Sequence, residues 1–364
     1  MSNRGIVYFS KMFQAVPHLA QVARKLPGTF VTSRRSTLSA VRKLYPDIET
    51  AAYSKYFGTL SAGNRQLSQA RVIVTGSPYR SFLEPYHAKK ATVFHGTYMM
   101  LSRDALLANA HFDLLCVIGP RMKTMMERFA DITVNAVETG FLPFCEYPDQ
   151  SASQRERVLT SLGLDPSLQT VLYTPSRRGI GSWNMVAERL VSTAPQHFNL
   201  VLRPHPSQSL TSRRKDRASF IRVQKLISQR SGAFLDLGTR SLAELVSVAD
   251  LVVSDANSPS EESMFYDVPQ MFIETEHLSR DVIAQLGRSQ AMHSDDLERL
   301  LTLYDCGPSY FIEMAVDFAE SLDRAIADAS LYKTQRQAYF SWVFGARDRL
   351  ADERVAAAIK HHLL

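Results

Sequence analysis

At 364 residues, the chain is long for a single core and suits two domains of ordinary size. Apolar residues make up 45% and charged residues 21%, which is typical of a soluble globular protein that needs no covalent staples. The formal charge of +6 favours polyanionic partners, such as nucleotide phosphates, nucleic acid or anionic lipid.

Several classes of protein are excluded by what the sequence lacks. Three widely spaced cysteines form neither a disulfide framework nor a zinc site, and they favour a reducing compartment. The first ten residues are too mixed for a signal peptide, and no run reaches the ~20 apolar residues of a membrane span. A P-loop, a G-x-G-x-x-G segment and an H-E-x-x-H segment are all absent. We expect a cytoplasmic protein.

The first half of the chain alternates short apolar runs with amphipathic stretches. Continuous apolar strands separated by helices are typical of a parallel sheet. A loop at 140–148 and a polar linker at 149–154 close this half. Strands are predicted at Ile6–Phe9, 30–32, 71–75, 91–94, 114–118 and 134–137, and helices at 17–26, 36–44 and 121–129.

The same pattern restarts after the linker. The predicted strands are 171–174, 199–203, 234–236, 250–254 and 270–273, and the predicted helices are 183–192, 220–229, 241–247 and 260–266, with 330–362 nearly all helical. The two halves predict an α/β protein with two doubly wound, Rossmann-like domains facing a cleft. We assign residues 1–148 to the first domain, 149–335 to the second, and 336–364 to a helical segment that packs back on the first.

The segment from Ser254 to Glu262 is the strongest candidate for a nucleotide site. A buried strand ends at Ser254, and Ser258 is the predicted N-cap of the next helix, with Pro259 at its first position and Glu261 in a capping box. The free N–H groups and the positive end of that helix would attract an anion. Glu262 is placed to accept hydrogen bonds from ribose hydroxyls. The alternative is a well-capped helix with no ligand.

Two further strand ends in the second domain carry basic and hydroxyl side chains. Open α/β sheets bind ligands at the carboxyl ends of their strands, and arginine suits a diphosphate. Taken singly, each arginine also fits a surface ion pair, and His205 fits a turn between prolines. The predicted donor-side residues are Thr174, Ser176, Arg177, Arg178, Arg203, His205, Asp255, Asn257, Ser258, Ser260 and Glu262.

His95 is the candidate general base of the first domain. It ends an apolar run and is followed by Gly96, which lets a substrate approach the backbone. A neutral histidine at that edge can take a proton from an attacking hydroxyl. The alternative is a histidine buried in the core with its hydrogen bonds satisfied.

At these residues the chain resembles the CDP-glycerol glycerophosphotransferase family of teichoic-acid and capsule synthesis, which has the GT-B fold. The resemblance covers roughly residues 70–355. It is carried by the order and spacing of short motifs rather than by any one of them. The matching segments are His95-Gly96-Thr97, Thr174-Pro175-Ser176-Arg177, Arg203-Pro204-His205-Pro206, Ser254 to Ser258 followed by Glu262, and a closing segment from Arg347 to Val355.

The resemblance implies a transferase with CDP-glycerol, or a related CDP-linked polyol, as donor in the second domain. His95 and His205 are then the catalytic residues, and Gly96, Thr97 and Gly140 lie on the acceptor side. The acceptor is expected to be a hydroxyl on a lipid carrier or an oligosaccharide, with peripheral association at the inner face of the cytoplasmic membrane. No nucleic acid and no resident cofactor are expected, no metal ligands are assigned, and a requirement for a divalent metal stays open.

The chain departs from the family pattern at several positions, and three alternatives stay open. Tyr98-Met99-Met100 follows Thr97 where the family has Pro and usually Lys, and Ala256 and Asn257 replace Tyr and Ser. One alternative is a GT-B glycosyltransferase that uses a nucleotide sugar. Another is an enzyme similar to UDP-N-acetylglucosamine 2-epimerases, whose Ser-Asp segment ending in Glu-Glu is similar. The third is a degenerate GT-B subunit without catalytic activity.

Overall fold

A computed structural model of the chain describes residues 5–210, 213–238, 240–313 and 316–364, apart from the side chain of Thr59. The chain divides into two compact units. The first takes in the residues up to Glu146 together with Ser341–Leu364, and the second is Tyr147–Phe340.

The first unit contains a parallel sheet of seven strands in the order β3-β2-β1-β4-β5-β6-β7. The strands are β1 (Ile6–Phe9), β2 (Thr29–Thr32), β3 (Thr50–Ala52), β4 (Val72–Thr75), β5 (Lys89–Thr92), β6 (Leu114–Val117) and β7 (Ala136–Glu138). Every residue of β1, β2, β4 and β6 is buried, as expected for parallel strands with both faces covered. The strand order reverses between β1 and β4.

Helices connect the strands of this sheet. The α-helices are α1 (Val16–Lys25), α2 (Arg35–Leu44), α3 (Ala62–Ser68), α4 (Arg80–Leu83), α5 (Arg103–Asn109) and α6 (Pro120–Glu127), with 3₁₀ turns at Phe13–Ala15, Gly58–Leu60 and Leu142–Glu146. The α1 helix lies deep in the unit, because most of its residues are buried on all sides.

The second unit contains a parallel sheet of six strands in the order β10-β9-β8-β11-β12-β13. The strands are β8 (Gln169–Thr174), β9 (Phe198–Leu202), β10 (Ala233–Leu235), β11 (Leu251–Ser254), β12 (Gln270–Glu274) and β13 (Ser309–Phe311). This is the Rossmann order, and it reverses between β8 and β11. Thr174 and Ser254 are paired in register at the carboxyl end of this central pair.

The helices of the second unit follow its strands. They are α7 (Ala152–Ser161), α8 (Trp183–Thr193), α9 (Pro206–Ser209), α10 (Arg214–Ile227), α11 (Leu242–Val246), α12 (Ser258–Ser263), α13 (Arg280–Ser289), α14 (Ser294–Leu301) and α15 (Phe318–Ala327), with 3₁₀ turns at Met264–Tyr266 and Thr302–Cys306. The next helix, α16 (Lys333–Phe344), begins in the second unit and ends in the first. One face of the sheet and the helices α8, α10 and α15 share a single apolar core.

The C-terminal helix α17 (Ala351–Leu363) returns to the first unit. Its Val355 and Ile359 are buried in the same apolar core as Val16 and Leu19 of α1. Burial of such side chains stabilises the fold by about 1.5–3 kcal/mol each. Among the described residues, no helix is long and apolar enough to cross a membrane.

The structure differs from the sequence-based prediction in several elements, among them the helices α3, α5 and α7, which were not predicted. The strands β3 and β13 were not predicted, because three residues are too few to show a periodicity. The prediction of a nearly continuous helix over 330–362 is wrong. The helix ends at Phe344 because Gly345 has φ of 70°, and a new helix begins only at Ala351.

Candidate functional site

The buried carboxylate of Asp255 organises the carboxyl edge of the second sheet. The backbone N–H groups of Ser176 and Ser182 donate to its Oδ2 at 2.6 and 3.0 Å, and the Ser182 hydroxyl donates to its Oδ1. Burial raises the pKa of Asp255 to about 6, and the three hydrogen bonds oppose that rise. Asp255 was predicted to contact the donor, but its oxygens instead hold the loop between Ser176 and Ser182 against the end of β11.

The N-cap of α12 is Asn257, so the prediction of Ser258 is wrong by one residue. The Asn257 side chain accepts from the N–H of Ser260 at 3.4 Å and donates to the backbone oxygen of Thr174 at 2.7 Å. Asn257 therefore links the ends of β8 and β11, which is a second function for a capping side chain. Pro259 lies in the first turn, as expected.

Ser260 and Glu261 face inward. Ser260 was predicted to contact the donor; its hydroxyl donates to the backbone oxygen of Asn257 at 2.6 Å, and the residue is fully buried. With Asn257 as the N-cap, the capping-box position N3 is Ser260 and not Glu261. The buried Glu261 carboxylate accepts a hydrogen bond from the Tyr339 hydroxyl at 2.7 Å. Glu262 is also largely buried.

Two of the predicted diphosphate ligands are engaged inside the second unit. Arg178 forms an ion pair with Asp216 of α10, with Nε 3.0 Å from the carboxylate. Arg203 donates from Nη1 to Asp236 at 2.5 Å and to the backbone oxygen of Arg240 at 2.9 Å. Both carboxylates are buried, and breaking such a pair costs far more than breaking an exposed one. These arginines stabilise the loops after β8 and β9.

The hydroxyls of Thr174 and Ser254 also point away from solvent. Both residues are buried, and within the described part of the chain neither hydroxyl has a hydrogen-bond partner. Ser176 is buried as well. The Thr174 and Ser176 side chains were predicted to contact the donor, and the structure instead places both in the interior of the second unit.

Arg177 and His205 are the basic groups that remain at the surface of this edge. Arg177 is exposed and His205 is half-buried. Burial and the charge of Arg177 lower the pKa of His205 to about 4, so the ring is neutral at pH 7. The N–H of Ser207 donates to Nδ1 of His205 at 3.1 Å, which leaves the ring proton on Nε2. The two side chains offer a fixed positive charge and a neutral N–H donor.

His95 of the first unit is fixed by the loop that follows β4. Its Nδ1 lies 2.5 Å from the backbone oxygen of Gly76 and 3.3 Å from the hydroxyl of Ser77. A carbonyl oxygen only accepts, so the ring proton is on Nδ1 and Nε2 carries a lone pair. Within the described residues, no hydrogen bond to this Nε2 is found. Burial lowers the pKa of His95, which keeps the ring neutral at pH 7.

The backbone around His95 is held in an unfavourable conformation. Phe94, Gly96 and Tyr98 have φ of 56, 65 and 50°, in the left-handed region that only glycine enters freely. The two non-glycine residues, Phe94 and Tyr98, cost about 1–2 kcal/mol each, and such conformations persist where neighbouring contacts enforce them. One contact is Arg121, a fully buried side chain whose Nη2 donates to the backbone oxygen of Thr97 at 2.6 Å.

His18 supports this turn and was missed by sequence reasoning. Its Nε2 accepts a hydrogen bond from the N–H of Gly96 at 3.2 Å, and its ring packs edge-on against Phe141. Complete burial and the nearby His95 lower the pKa of His18 to about 3, so it stays neutral. A polar residue within the apolar α1 helix is the signal that could have found it.

Thr97 and Gly140 were predicted to lie on the acceptor side, and both have close neighbours within the first unit. Thr97 is buried, so its side chain is not open to an acceptor. Gly140 has φ of 95°, and a Cβ there would be 2.6 Å from Nη2 of Arg354. Arg354 also donates to the backbone oxygen of Thr139 at 2.7 Å and pairs with Asp348 at 2.8 Å. Gly140 therefore accommodates the C-terminal helix.

The described residues contain no group of three or more His, Cys, Asp or Glu side chains that could hold a metal ion.

Cys116 and Cys306 are buried, and Cys145 is half-buried, all with free thiols. Burial raises the pKa of Cys145 to about 12, so its thiolate is not a nucleophile at neutral pH.

No protein-family model matches the chain, and no curated protein sequence matches it significantly. Solved structures do match it over its whole length. The wall teichoic acid polymerase TagF matches at 14% identity with a TM-score of 0.67, covering 100% of this chain and 90% of TagF. A TagF variant soaked with CDPG matches at 16% identity with a TM-score of 0.67, covering 100% of this chain and 89% of that one.

Glycosyltransferase structures match less well. HepE of Anabaena, in complex with UDP and glucose, matches at 13% identity with a TM-score of 0.53, covering 98% of this chain and 99% of HepE. Sucrose-phosphate synthase of Thermosynechococcus elongatus matches at 13% identity and a TM-score of 0.54, with 98% of each chain covered. Together with the two parallel, Rossmann-like sheets, these similarities show that the chain has the GT-B fold.

The substitution Asp255→Asn should change how the stability of the second unit depends on pH. The pKa of Asp255 is about 6 in the folded chain against a usual 3.8, so between these values the folded state holds a proton that the unfolded state has released. Stability should therefore fall as pH rises from about 4 to about 6 and then level off. The asparagine carbonyl can accept both N–H groups without titrating, and this slope should disappear.

Denaturant unfolding in a Trp342→Phe background is a suitable measurement, because the other tryptophan, Trp183, then reports on the second unit alone. Asp255→Ala is the matched control. It leaves the N–H groups of Ser176 and Ser182 without their acceptor, at a cost of about 1–3 kcal/mol for each group. An unchanged slope in the asparagine variant would show that another group titrates.

Proposed function

We propose that the chain is a transferase that moves a glycerol-phosphate, or a related polyol-phosphate, from a CDP-linked donor to an acceptor hydroxyl. The observation that carries the proposal is the state of His95. Its Nδ1 donates to the backbone oxygen of Gly76, and its Nε2 bears a lone pair. Burial lowers the pKa of His95 and so keeps the ring neutral. That is the state a general base needs at neutral pH. The likeness of the fold to TagF, one form of which was soaked with CDPG, supports this donor class.

The donor is assigned to the carboxyl edge of the second sheet. The central pair β8 and β11 ends there, and ligands of open α/β sheets bind at such a reversal of strand order. Arg177 would neutralise the diphosphate, and the neutral Nε2–H of His205 would donate to one of its oxygens. Backbone N–H groups of the loop fixed by Asp255 add further donors. Glu262 is proposed as the ribose contact.

The proposed reaction is an in-line displacement at the β-phosphorus. The acceptor hydroxyl gives its proton to Nε2 of His95, and its oxygen forms the new bond to phosphorus. The bond from that phosphorus to the bridging oxygen breaks, and CMP leaves with the electron pair. Arg177 and His205 would stabilise the negative charge that develops on CMP. Positioning and this electrostatic stabilisation would together account for most of the lowering of the barrier.

The acceptor is proposed to be a hydroxyl on a lipid-linked or oligosaccharide chain in the synthesis of a cell-surface polymer such as teichoic acid or capsule. Gly96 follows the base and has no side chain, so an acceptor can approach the backbone beside His95. The enzyme would then work at the inner face of the cytoplasmic membrane. The formal charge of +6 suits both an anionic donor and an anionic surface.

A glycosyltransferase that uses a nucleotide sugar is the second candidate, and the structural similarity to HepE with UDP and glucose favours it. In that reaction, the acceptor oxygen attacks an anomeric carbon, and a nucleoside diphosphate leaves. Product analysis separates the two proposals. Release of CMP from CDP-glycerol supports the phosphotransferase, and release of a nucleoside diphosphate from a nucleotide sugar supports the glycosyltransferase.

A thermal-shift panel of CDP, CMP and UDP, with and without Mg²⁺, should identify the donor nucleotide. A ligand that binds only the folded state raises its melting temperature, and we expect the largest rise with CDP. Arg177→Ala should weaken CDP binding by about ten- to a hundredfold, as expected for loss of a charge-assisted hydrogen bond. The exposed Arg288 of α13 provides a matched control, Arg288→Ala. No shift with any nucleotide would favour a subunit without catalytic activity.

His95→Ala should slow transfer strongly and leave nucleotide binding intact. General-base catalysis contributes about a hundred- to ten-thousandfold to a rate, and the turnover number should fall by that factor. The measurement is CMP release from CDP-glycerol beside calorimetric titration with CDP. A variant that retains turnover would rule out His95 as the base.

Comparing His18→Leu with His18→Gln should separate the effect of the hydrogen bond to Gly96 on the position of His95 from the effect of side-chain packing. Leucine fills the site but cannot accept the hydrogen bond from Gly96, and we expect kcat to fall by about three- to tenfold with the donor KM unchanged. Glutamine offers an oxygen at similar reach, so it should restore most of the rate. Equal rates for both variants would mean that the Gly96 hydrogen bond does not position His95.

A further inference from the structure

A loop of the first unit exposes a group of large apolar side chains. It follows β3, the edge strand of the sheet, and includes the 3₁₀ turn Gly58–Leu60. The exposed fractions are 84% for Tyr56, 65% for Phe57 and 79% for Leu60. We name these three residues the aromatic tip. Clustered side chains of this size that are open to solvent on one loop indicate a contact surface, whereas single exposed ones do not.

The charged residues of the segment 53–65, which carries the aromatic tip, are both positive. Lys55 lies 4.9 Å over the Tyr56 ring, and Nη1 of Arg65 donates to the backbone oxygen of Leu60 at 3.0 Å. The loops that leave β1 to β5 at their carboxyl ends, residues 10–15, 33–36, 53–65, 76–82 and 93–102, contain no Asp or Glu. Their basic residues are Lys11, Arg34, Arg35, Lys55, Arg65 and Arg80.

We propose that the aromatic tip and the basic loops beside it dock on the surface of an anionic phospholipid bilayer. Aromatic side chains settle at the level of lipid headgroups, where an apolar ring and a polar edge are both accommodated. Lys and Arg beside them are attracted to anionic headgroups, at a gain of about 1 kcal/mol for each basic residue near the surface. The loop segments named above carry no carboxylate that the lipid would repel, and the nearest carboxylates along the chain are Glu84, which follows α4, and Asp104, in the first turn of α5.

The same edge of the sheet carries His95. Parallel strands all end at one edge, and four strand spacings separate β3 from β5, which is about 19 Å at 4.8 Å for each spacing. Docking through the aromatic tip would therefore bring a hydroxyl on a lipid carrier to the side of the unit where His95 lies. The role of the aromatic tip in presenting a lipid carrier rests on the proposed function. The binding of the aromatic tip to an anionic bilayer does not.

Vesicle sedimentation with the whole chain, in the absence of donor and acceptor, tests the binding alone. We compare vesicles of phosphatidylcholine with vesicles that contain about a quarter phosphatidylglycerol, at about 0.1 M and about 1 M salt. The wild type should bind the anionic vesicles at least about tenfold more tightly, and high salt should weaken that binding. Transfer activity is not needed for this result, so failure of the proposed reaction would leave it unchanged.

The combined variant Tyr56→Ser, Phe57→Ser and Leu60→Ser should lose at least about tenfold in affinity for the anionic vesicles. Its melting temperature should match the wild type, because the three side chains are exposed. The matched control is Ile221→Ser with Leu331→Ser, which removes two apolar side chains of the second unit that are 69% and 75% exposed. The control should bind as the wild type does.

Three results would overturn the proposal. The first is equal binding by the wild type and the combined variant. The second is equal binding to neutral and anionic vesicles. The third is a wild type that is dimeric in light scattering and does not bind vesicles, with a combined variant that is monomeric. The aromatic tip would then be an interface between two copies of the chain.

Discussion

The shared direction of the parallel strands is the constraint on which both candidate regions depend. In each sheet the chain moves outward in opposite directions from a central pair, β1 with β4 in the first and β8 with β11 in the second. Loops that leave such a pair at its carboxyl end diverge and open a crevice for a ligand. In the second unit those loops contain Arg177 and Asn257. In the first unit His95 follows the next strand, β5, and is bonded to the loop after β4.

At the carboxyl edge of the second sheet, a buried negative charge fixes the loop and an exposed positive charge faces solvent. Removing a carboxylate from water costs several kcal/mol unless hydrogen bonds replace the solvent. Ser176 and Ser182 supply those bonds to Asp255, and this fixes the loop between them without placing a carboxylate where it would repel a diphosphate. Arg177 remains at the surface, beside the neutral ring of His205. This edge therefore combines a loop fixed by hydrogen bonds with an exposed positive charge at Arg177.

The sequence predicted where the candidate residues would lie better than it predicted which way they would point. Long apolar runs identify buried strands, and parallel strands bring their ends to one edge whatever the loops contain. Side-chain direction depends on partners far away in the chain. Arg178 is paired with a residue 38 positions away, and the acceptor for the Gly96 N–H lies 78 positions away on α1. No local pattern encodes such pairs, so the inward turn of Arg178 and the role of His18 emerged only from the fold.

Two neutral histidines with opposite tautomers follow from these local contacts. Nδ1 of His95 faces the carbonyl oxygen of Gly76, which only accepts, so Nε2 carries a lone pair. Nδ1 of His205 faces the N–H of Ser207, which only donates, so Nε2 carries the proton. Burial lowers the pKa of both rings, and neither is charged at pH 7. The backbone contacts thus leave one histidine with a free lone pair, as a general base needs, and the other with an N–H that can donate a hydrogen bond to an anion.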